Sequence, residues 1–198
     1  MLSGKVIGLG SLPGAGKGEL AEQLSRQGVQ HLHVGTLVRS TANDYGFAPV
    51  NQTREAYLPF WAEHAKTHRN NWLAKIAFKI AHKQNSIVLL DGVRIPADAQ
   101  SIAQANNGTM AWLQGDLPTL ANRVLSRQRI EDEGIRAAED YVDAMQKELD
   151  GKGNFSMGAV RNASEVFLLP IPDIADLDNR SAYYGRLASH LLAITYSM

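Results

Sequence analysis

The stretch that most constrains this chain is Gly8-Leu9-Gly10-Ser11-Leu12-Pro13-Gly14-Ala15-Gly16-Lys17-Gly18-Glu19, near the start of the sequence. An apolar segment, Lys5 to Leu9, precedes the turn, and an amphipathic one, Leu20 to Leu24, follows it. Strand, Gly-rich turn and helix, in that order, form the layout of a phosphate-binding loop. The glycines let backbone N–H groups converge on an anion, and the helix N-terminus adds the positive end of its dipole. Lys17 supplies a mobile charge for the outer phosphates. A merely tight strand-to-helix connection would need the glycines but not the lysine.

With 198 residues, 44% of them hydrophobic, the chain has enough material for one domain with a single core, residues 1–198. Its 20 Lys and Arg balance 20 Asp and Glu. That neutrality gives no electrostatic support for a polymeric nucleic-acid partner. The absence of Cys excludes disulfides, thiolate metal sites and Cys nucleophiles. The sequence runs straight into a strand, without the basic and apolar regions of a signal peptide. No apolar run approaches the roughly 20 residues that span a bilayer. The expectation is a soluble, cytoplasmic protein with no membrane partner; a homodimer stays open.

Along the chain, strands are expected at about 4–10, 29–34, 86–91, 109–113 and 165–169. Helices alternate with them at about 17–28, from Thr36, at 51–67 (broken or bent by Pro59), 70–84, 96–106, from Leu117, at 136–149 and 179–195. Ser86-Ile87-Val88-Leu89-Leu90-Asp91 is the clearest strand, and its continuous apolar run suits a parallel strand covered on both faces. Leu73, Ile76, Ala77, Ile80 and Ala81 mark the buried face of one helix. Residues 42–50 and 150–154 read as loops. The alternation implies an α/β fold of three layers, with a five-stranded, mainly parallel sheet flanked by helices.

Four segments together resemble the nucleoside monophosphate kinase group of P-loop kinases, whose best-known member is adenylate kinase. Pro13-Gly14-Ala15-Gly16-Lys17-Gly18 is similar to that family's Pro-Gly-x-Gly-Lys-Gly loop. His31-Leu32-His33-Val34-Gly35-Thr36-Leu37-Val38-Arg39 is similar to its His-Ile-Ser-Thr-Gly-Asp-Leu-Leu-Arg segment. Asp91-Gly92-Val93-Arg94 resembles Asp-Gly-Phe-Pro-Arg, one residue shorter, and Arg123-Val124-Leu125-Ser126-Arg127 its Arg-x-x-x-Arg helix. The short form followed by Pro96 is closer in style to the deoxynucleotide and predicted nucleotide kinases. Order and rough spacing agree over about residues 4–170.

The resemblance implies a P-loop NTPase fold with a helical acceptor-binding region at about 36–84 and a short lid at about 127–157. It implies ATP and Mg²⁺ as cofactors and nucleotides as substrates. Donor phosphates would lie on Pro13, Gly14, Ala15, Gly16, Lys17, Gly18 and Glu19, with Arg123 against the donor base and Arg127 reaching its phosphates. Thr36, Arg39 and Arg94 would hold the acceptor, with Arg54 sharing that role or lying on a solvated face. Asp91 would sit near the metal, through water. Arg129 and Arg136 flank the short charged segment after that helix and would close over the transferring group, or else belong to a charged helix end beside Glu131, Asp132 and Glu133. Guanidinium groups suit such work because they bind phosphate bidentately.

Three positions depart from the pattern. Ser11 stands where the general loop motif has Gly, Thr36 where the family has Asp, and Glu19 where adenylate kinases have Thr. A carboxylate at position 19 is awkward beside phosphates unless it serves magnesium or turns away. His64 and His68 have i, i+4 spacing but no acidic ligand at a recognisable offset, so packing is the simpler reading. Trp61, Trp72 and Trp112 read as core, although Trp61 can also line an acceptor-base pocket. His31 and His33 can reach the site but read more simply as satisfied within the fold.

The reading that unites these features is transfer of the γ-phosphate of ATP to a (deoxy)nucleoside monophosphate, with Lys17, Asp91, Arg127 and Arg136 as the catalytic set. Two alternatives keep the loop. One is a P-loop kinase acting on a hydroxyl of a modified nucleotide, a DNA base or another small metabolite. The other is a non-catalytic nucleotide-binding module, for which Glu19 is the main support.

Overall fold

A computed structural model describes residues 4–50, 54–68, 71–126, 137–153, 155–168 and 177–197. Strands β1 (Lys5–Ser11), β2 (Gln30–His33), β3 (Ile87–Asp91), β4 (Gly108–Leu113) and β5 (Val166–Leu168) form one sheet in the order β2-β3-β1-β4-β5. Every pairing is parallel. Parallel strands need crossovers, and helices supply them. These are α1 (Lys17–Arg26), α2 (Val34–Asp44), α3 (Arg54–His68), α4 (Trp72–Gln84), α5 (Pro96–Ala103), α6 (Leu117–Ser126), α7 (Ala138–Leu149), α8 (Met157–Asn162) and α9 (Leu177–Ser197).

The sheet's centre is where the sequence is most continuously apolar. Val6, Ile7 and Leu9 of β1, Val88 to Leu90 of β3, and Met110 and Ala111 of β4 are wholly buried. Helices α4, α5 and α8 pack on these strands, while α1 packs against β2, β3 and the long α9. At the edges the pattern relaxes: β2 alternates between half-buried and exposed residues, and β5 exposes Phe167.

Some boundaries differ from the sequence expectation for identifiable reasons. Helix α3 runs unbroken through Pro59. A proline removes its own N–H bond and crowds the carbonyl four residues back, but Tyr57, Phe60 and His64 anchor the helix in an aromatic cluster with Phe47 and Trp72. Helix α2 extends to Asp44, into the stretch expected as loop, because Val34, Val38 and Ala42 form a buried face. Val34, expected to end β2, is the first residue of α2. Helix α8 was not expected at all. Its six residues give no helical period, and it is held by burial of Met157, Gly158 and Val160.

Helix α4 starts on a borrowed cap. Asn71 precedes it, but its side chain donates to Ser101 Oγ (2.8 Å) instead of capping. The Ala74 amide donates to Asp98 Oδ1 of α5 at 2.8 Å. Asp98 is almost fully buried, and burial raises its pKa from 3.8 to about 7, against the lowering effect of the Ala74 and Leu73 amides. This cap ties the region before β3 to the helix that follows it.

Candidate active site

Of the site expected from the sequence, Lys17, Arg39, Asp91 and Arg94 lie just beyond the carboxyl ends of β1, β2 and β3, where open α/β sheets place ligands. Strand register sets Asp91 beside Leu9 on one side and His33 on the other. The Gly92 and Val93 amides both donate to the Leu9 carbonyl (3.0 and 3.1 Å), so the exit from β3 is fastened to β1 just before the Gly-rich loop.

In that loop Gly14 and Gly16 have φ of +85° and +84°. These left-handed values strain any residue with a Cβ. Space forbids one as well: a Cβ on Gly14 would lie 2.5 Å from the Leu120 carbonyl oxygen, and one on Gly16 would strike the Tyr184 hydroxyl. Gly16 is the N-cap just before α1, and no side chain caps the helix. The amides there are of the kind that a bound anion satisfies.

Lys17 donates from Nζ to Ser11 Oγ at 2.8 Å, and Ser11 Oγ donates to the Leu12 carbonyl at 2.8 Å. The Ser11 departure therefore gives the Lys17 ammonium a resting partner inside the loop. Glu19 lies in the first turn of α1, with Oε1 3.9 Å from Arg180 Nη1 of α9. The carboxylate that is awkward in sequence has a cation from the far end of the chain. Tyr184, one turn along α9, is buried with its hydroxyl 3.4 Å from the Ala15 carbonyl; burial first and Glu19 second raise its pKa.

Asp91 is buried, and His31 Nε2 donates to its Oδ2 at 3.3 Å. Burial pushes the carboxyl up, but the His31 hydrogen bond and the charges of Lys17, His33 and His31 hold it below its ordinary value. Its Oδ1 is buried and has no hydrogen-bond partner among the described residues. A buried carboxylate with one oxygen held and the other unsatisfied fits a water, including one belonging to a hydrated Mg²⁺. His33 is the electrostatic meeting point. Desolvation lowers its pKa, Asp91 opposes this, and His31, Arg39 and Lys17 lower it further. Arg39 on α2 is next to it: a Cβ on Gly35 would lie 2.9 Å from His33 Cε1 and 3.5 Å from Arg39 Nη1.

Arg94 sits three residues beyond Asp91, with Cζ 5.2 Å from the Phe155 ring centroid. Phe155 in turn packs on Trp61 of α3, with 5.2 Å between ring centroids. Trp61 is buried, as expected of core, and its indole N–H has no partner among the described residues. Thr36 is exposed in the first turn of α2, and Arg123 is half-buried on α6 within electrostatic reach of Tyr184. Arg54 is the first residue of α3, but its side chain is outside the described residues, as are Arg127, Arg129 and Arg136. The start of the expected lid, up to residue 136, is likewise outside them; beyond it α7 packs on α6 with Tyr141 and Met145 buried. Two cavities, of about 250 and 200 Å³, lie elsewhere, and neither is lined by Lys17, Asp91 or Arg94. Among the described residues no group of three His, Asp or Glu can hold a metal ion, and His64 is packed between Phe60 and Trp72. No described helix is long and apolar enough to cross a membrane.

Sequence reasoning undervalued His31, which bonds to Asp91, and missed Phe155, Arg180 and Tyr184. The two α9 residues, like Phe155, lie far along the chain from the motifs that they touch, so no local spacing points to them.

A family model described as an AAA domain matches residues 10–140, from the Gly-rich loop past Arg136. The chain belongs to this AAA domain family. Among curated proteins it is similar to the UPF0200 protein Ta0179 of Thermoplasma acidophilum, 26% identical over 145 residues that cover 72% of this chain and 77% of that one. Among solved structures it is similar to shikimate kinase from Acinetobacter baumannii in complex with shikimate, at 14% identity and a TM-score of 0.61, over 98% of this chain and 93% of that one. Shikimate kinase from Bacteroides thetaiotaomicron is similar at 14% identity and a TM-score of 0.58, over 94% and 98%. The fold is that of a P-loop kinase, with the five-stranded parallel sheet expected from the sequence.

Proposed function

We propose that this chain is an ATP-dependent phosphotransferase that moves the γ-phosphate of ATP to the phosphate of a (deoxy)nucleoside monophosphate. One observation carries the reading: strand register and the bonds to the Leu9 carbonyl set Asp91 between the start of the Gly-rich loop, which bears Lys17, and His33, beside which Arg39 of α2 lies. A donor-side cation and an acceptor-side cation thus share one neighbourhood around a single ionised carboxylate. Phosphoryl transfer asks for this arrangement, because its catalysis is mostly positioning and charge neutralisation.

In this reading the loop from Pro13 to Gly18 cradles the donor phosphates, Lys17 neutralises charge on the transferring group, and Arg39 and Arg94 hold the acceptor phosphate. An acceptor phosphate oxygen forms the new bond to the γ-phosphorus as the bond to the β–γ bridging oxygen breaks, leaving ADP. Asp91, held by His31, orients water through its unsatisfied Oδ1. Mg²⁺, when bound, would neutralise charge between the donor's outer phosphates. By the family resemblance Arg123 lies against the donor base, while Arg127 and Arg136 close over the reacting groups and exclude water. Residues 36–84 form the acceptor region, in which Trp61 packs against Phe155 beneath Arg94.

A second reading is favoured by the fold neighbours, one of which holds shikimate: a small metabolite whose hydroxyl takes the phosphate. The two are separated by incubating the chain with labelled ATP, Mg²⁺ and a panel of the common NMPs and dNMPs, with shikimate alongside. Label in a nucleoside diphosphate supports the proposal. Transfer only to shikimate, or ATP binding with no transfer at all, overturns it.

A further inference from the structure

Arg94 follows β3 directly, at the end of the Asp91-Gly92-Val93-Arg94 segment. Its backbone is fixed, because the neighbouring Gly92 and Val93 amides are bonded to the Leu9 carbonyl. Its long side chain is not fixed by that anchor, and an arginine loses substantial rotamer freedom when held. The aromatic face that it meets comes from the connection between α7 and α8, about sixty residues further along.

That connection is built to present a ring. The Lys152 and Gly153 amides donate to the Lys147 carbonyl (2.8 and 3.1 Å), closing the end of α7. The Phe155 amide donates to Glu148 Oε2 at 2.9 Å. A Cβ on Gly153 would lie 2.6 Å from the Glu148 carboxyl carbon, so the turn is wrapped closely around that side chain. Phe155 also packs against Trp61, itself 6% exposed. The ring thus contacts both the buried Trp61 and the Arg94 guanidinium.

We propose that Phe155 is the positioning residue for Arg94: it holds the guanidinium by a cation–π contact and so sets the acceptor-phosphate subsite. The inference rests on the kinase reading above. A cation–π contact engages the face of a guanidinium and not its edge N–H groups, so it orients Arg94 without itself consuming the donors that bind a phosphate. Phe155 thereby links the α7–α8 connection to the acceptor region.

The test compares Phe155→Leu, which keeps apolar packing and loses the π face, with Phe155→Trp, which keeps the face. Folding is checked by circular dichroism. KM for the best mononucleotide acceptor, KM for ATP and kcat are measured, and acceptor affinity is read by calorimetry without ATP. Phe155→Leu is expected to raise acceptor KM and Kd by about 5–20-fold, with ATP KM unchanged. Phe155→Trp is expected to stay within about twofold of wild type, since an aromatic face is retained. In an Arg94→Ala background Phe155→Leu adds nothing further. Wild-type acceptor affinity in Phe155→Leu, equal changes in acceptor and ATP KM, or the same Phe155→Leu effect with and without Arg94 overturns the proposal alone. A wild-type chain that binds no mononucleotide removes the kinase reading together with it.

Discussion

On the donor side, the Gly-rich loop is shaped by backbone. Gly14 and Gly16 adopt conformations closed to other residues, Leu120 and Tyr184 fill the space behind them, and α9 adds Arg180 against Glu19. On the proposed acceptor side, long side chains take the place of a backbone cradle. Arg39 comes from α2, Arg94 from the exit of β3, and the rings behind Arg94 from α3 and the α7–α8 connection. The Gly-rich loop is nearly complete within twelve consecutive residues, whereas the proposed acceptor subsite would draw on four separate places. A triphosphate presents the same charges whatever base it carries, so a fixed backbone cradle suffices. An acceptor has to be told from its relatives, and side chains on separate elements can be varied independently for that task.

The contrast can be broken most sharply at Lys17. Lys17→Ala is expected to lower kcat by about 10²–10³-fold, the scale of losing one preorganised charge at a transferring group. Thermal unfolding should be little changed, because its bond to Ser11 is local. Near-normal turnover in a folded variant would remove the donor assignment.

Next in size is the pair Gly16→Ala and Gly18→Ala. The first adds backbone strain of about 1–3 kcal/mol and a clash with Tyr184, and ATP binding should be lost with it. The second meets nothing within 4 Å and lies inside α1, where alanine favours the helix by up to about 1 kcal/mol. Calorimetric titration with ATP and a melting curve on each variant check this. Equal behaviour of the two would show that loop shape is not what the donor side depends on.

Arg39→Ala should act on the other side, raising acceptor KM by about 10–100-fold, the worth of charge-assisted hydrogen bonds, while ATP KM holds steady. An effect confined to ATP would reverse the two halves of the site.

The smallest effect concerns the joint between acceptor helix and sheet. Asp98 titrates near 7 in the fold against 3.8 ordinarily, so folding favours its protonated form. The stability it contributes is complete below about pH 4 and is lost as pH rises through about 7. Asp98→Asn keeps an acceptor for the Ala74 amide and removes the titration. Between pH 5 and 8 the wild-type melting temperature should fall relative to the variant, by about 2–4 °C for each kcal/mol of linkage. Parallel curves would mean that Asp98 is ionised throughout.

Much of this was legible in the sequence for a physical reason. Hydrophobic period and glycine spacing are local signals, and they mark β1, the loop, α1, β3 and the alternation that makes a parallel sheet. The same locality explains what was illegible. Helix α8 is too short to show a period, and Pro59 seemed disruptive only because its aromatic neighbours could not be seen packing around it. His31 read as an ordinary satisfied histidine until strand register set β2 beside Asp91.

By itself, then, the sequence determined that a phosphate-binding turn joins a buried strand to a helix, and that candidate cations recur at several points beyond it. A turn of three glycines and a lysine forms from its own residues. Tertiary structure alone decided that Glu19 faces Arg180, that Ser11 holds Lys17, that Asp91 keeps one oxygen unsatisfied, and that Arg94 rests on Phe155. These depend on which distant segments the sheet order and helix packing bring together.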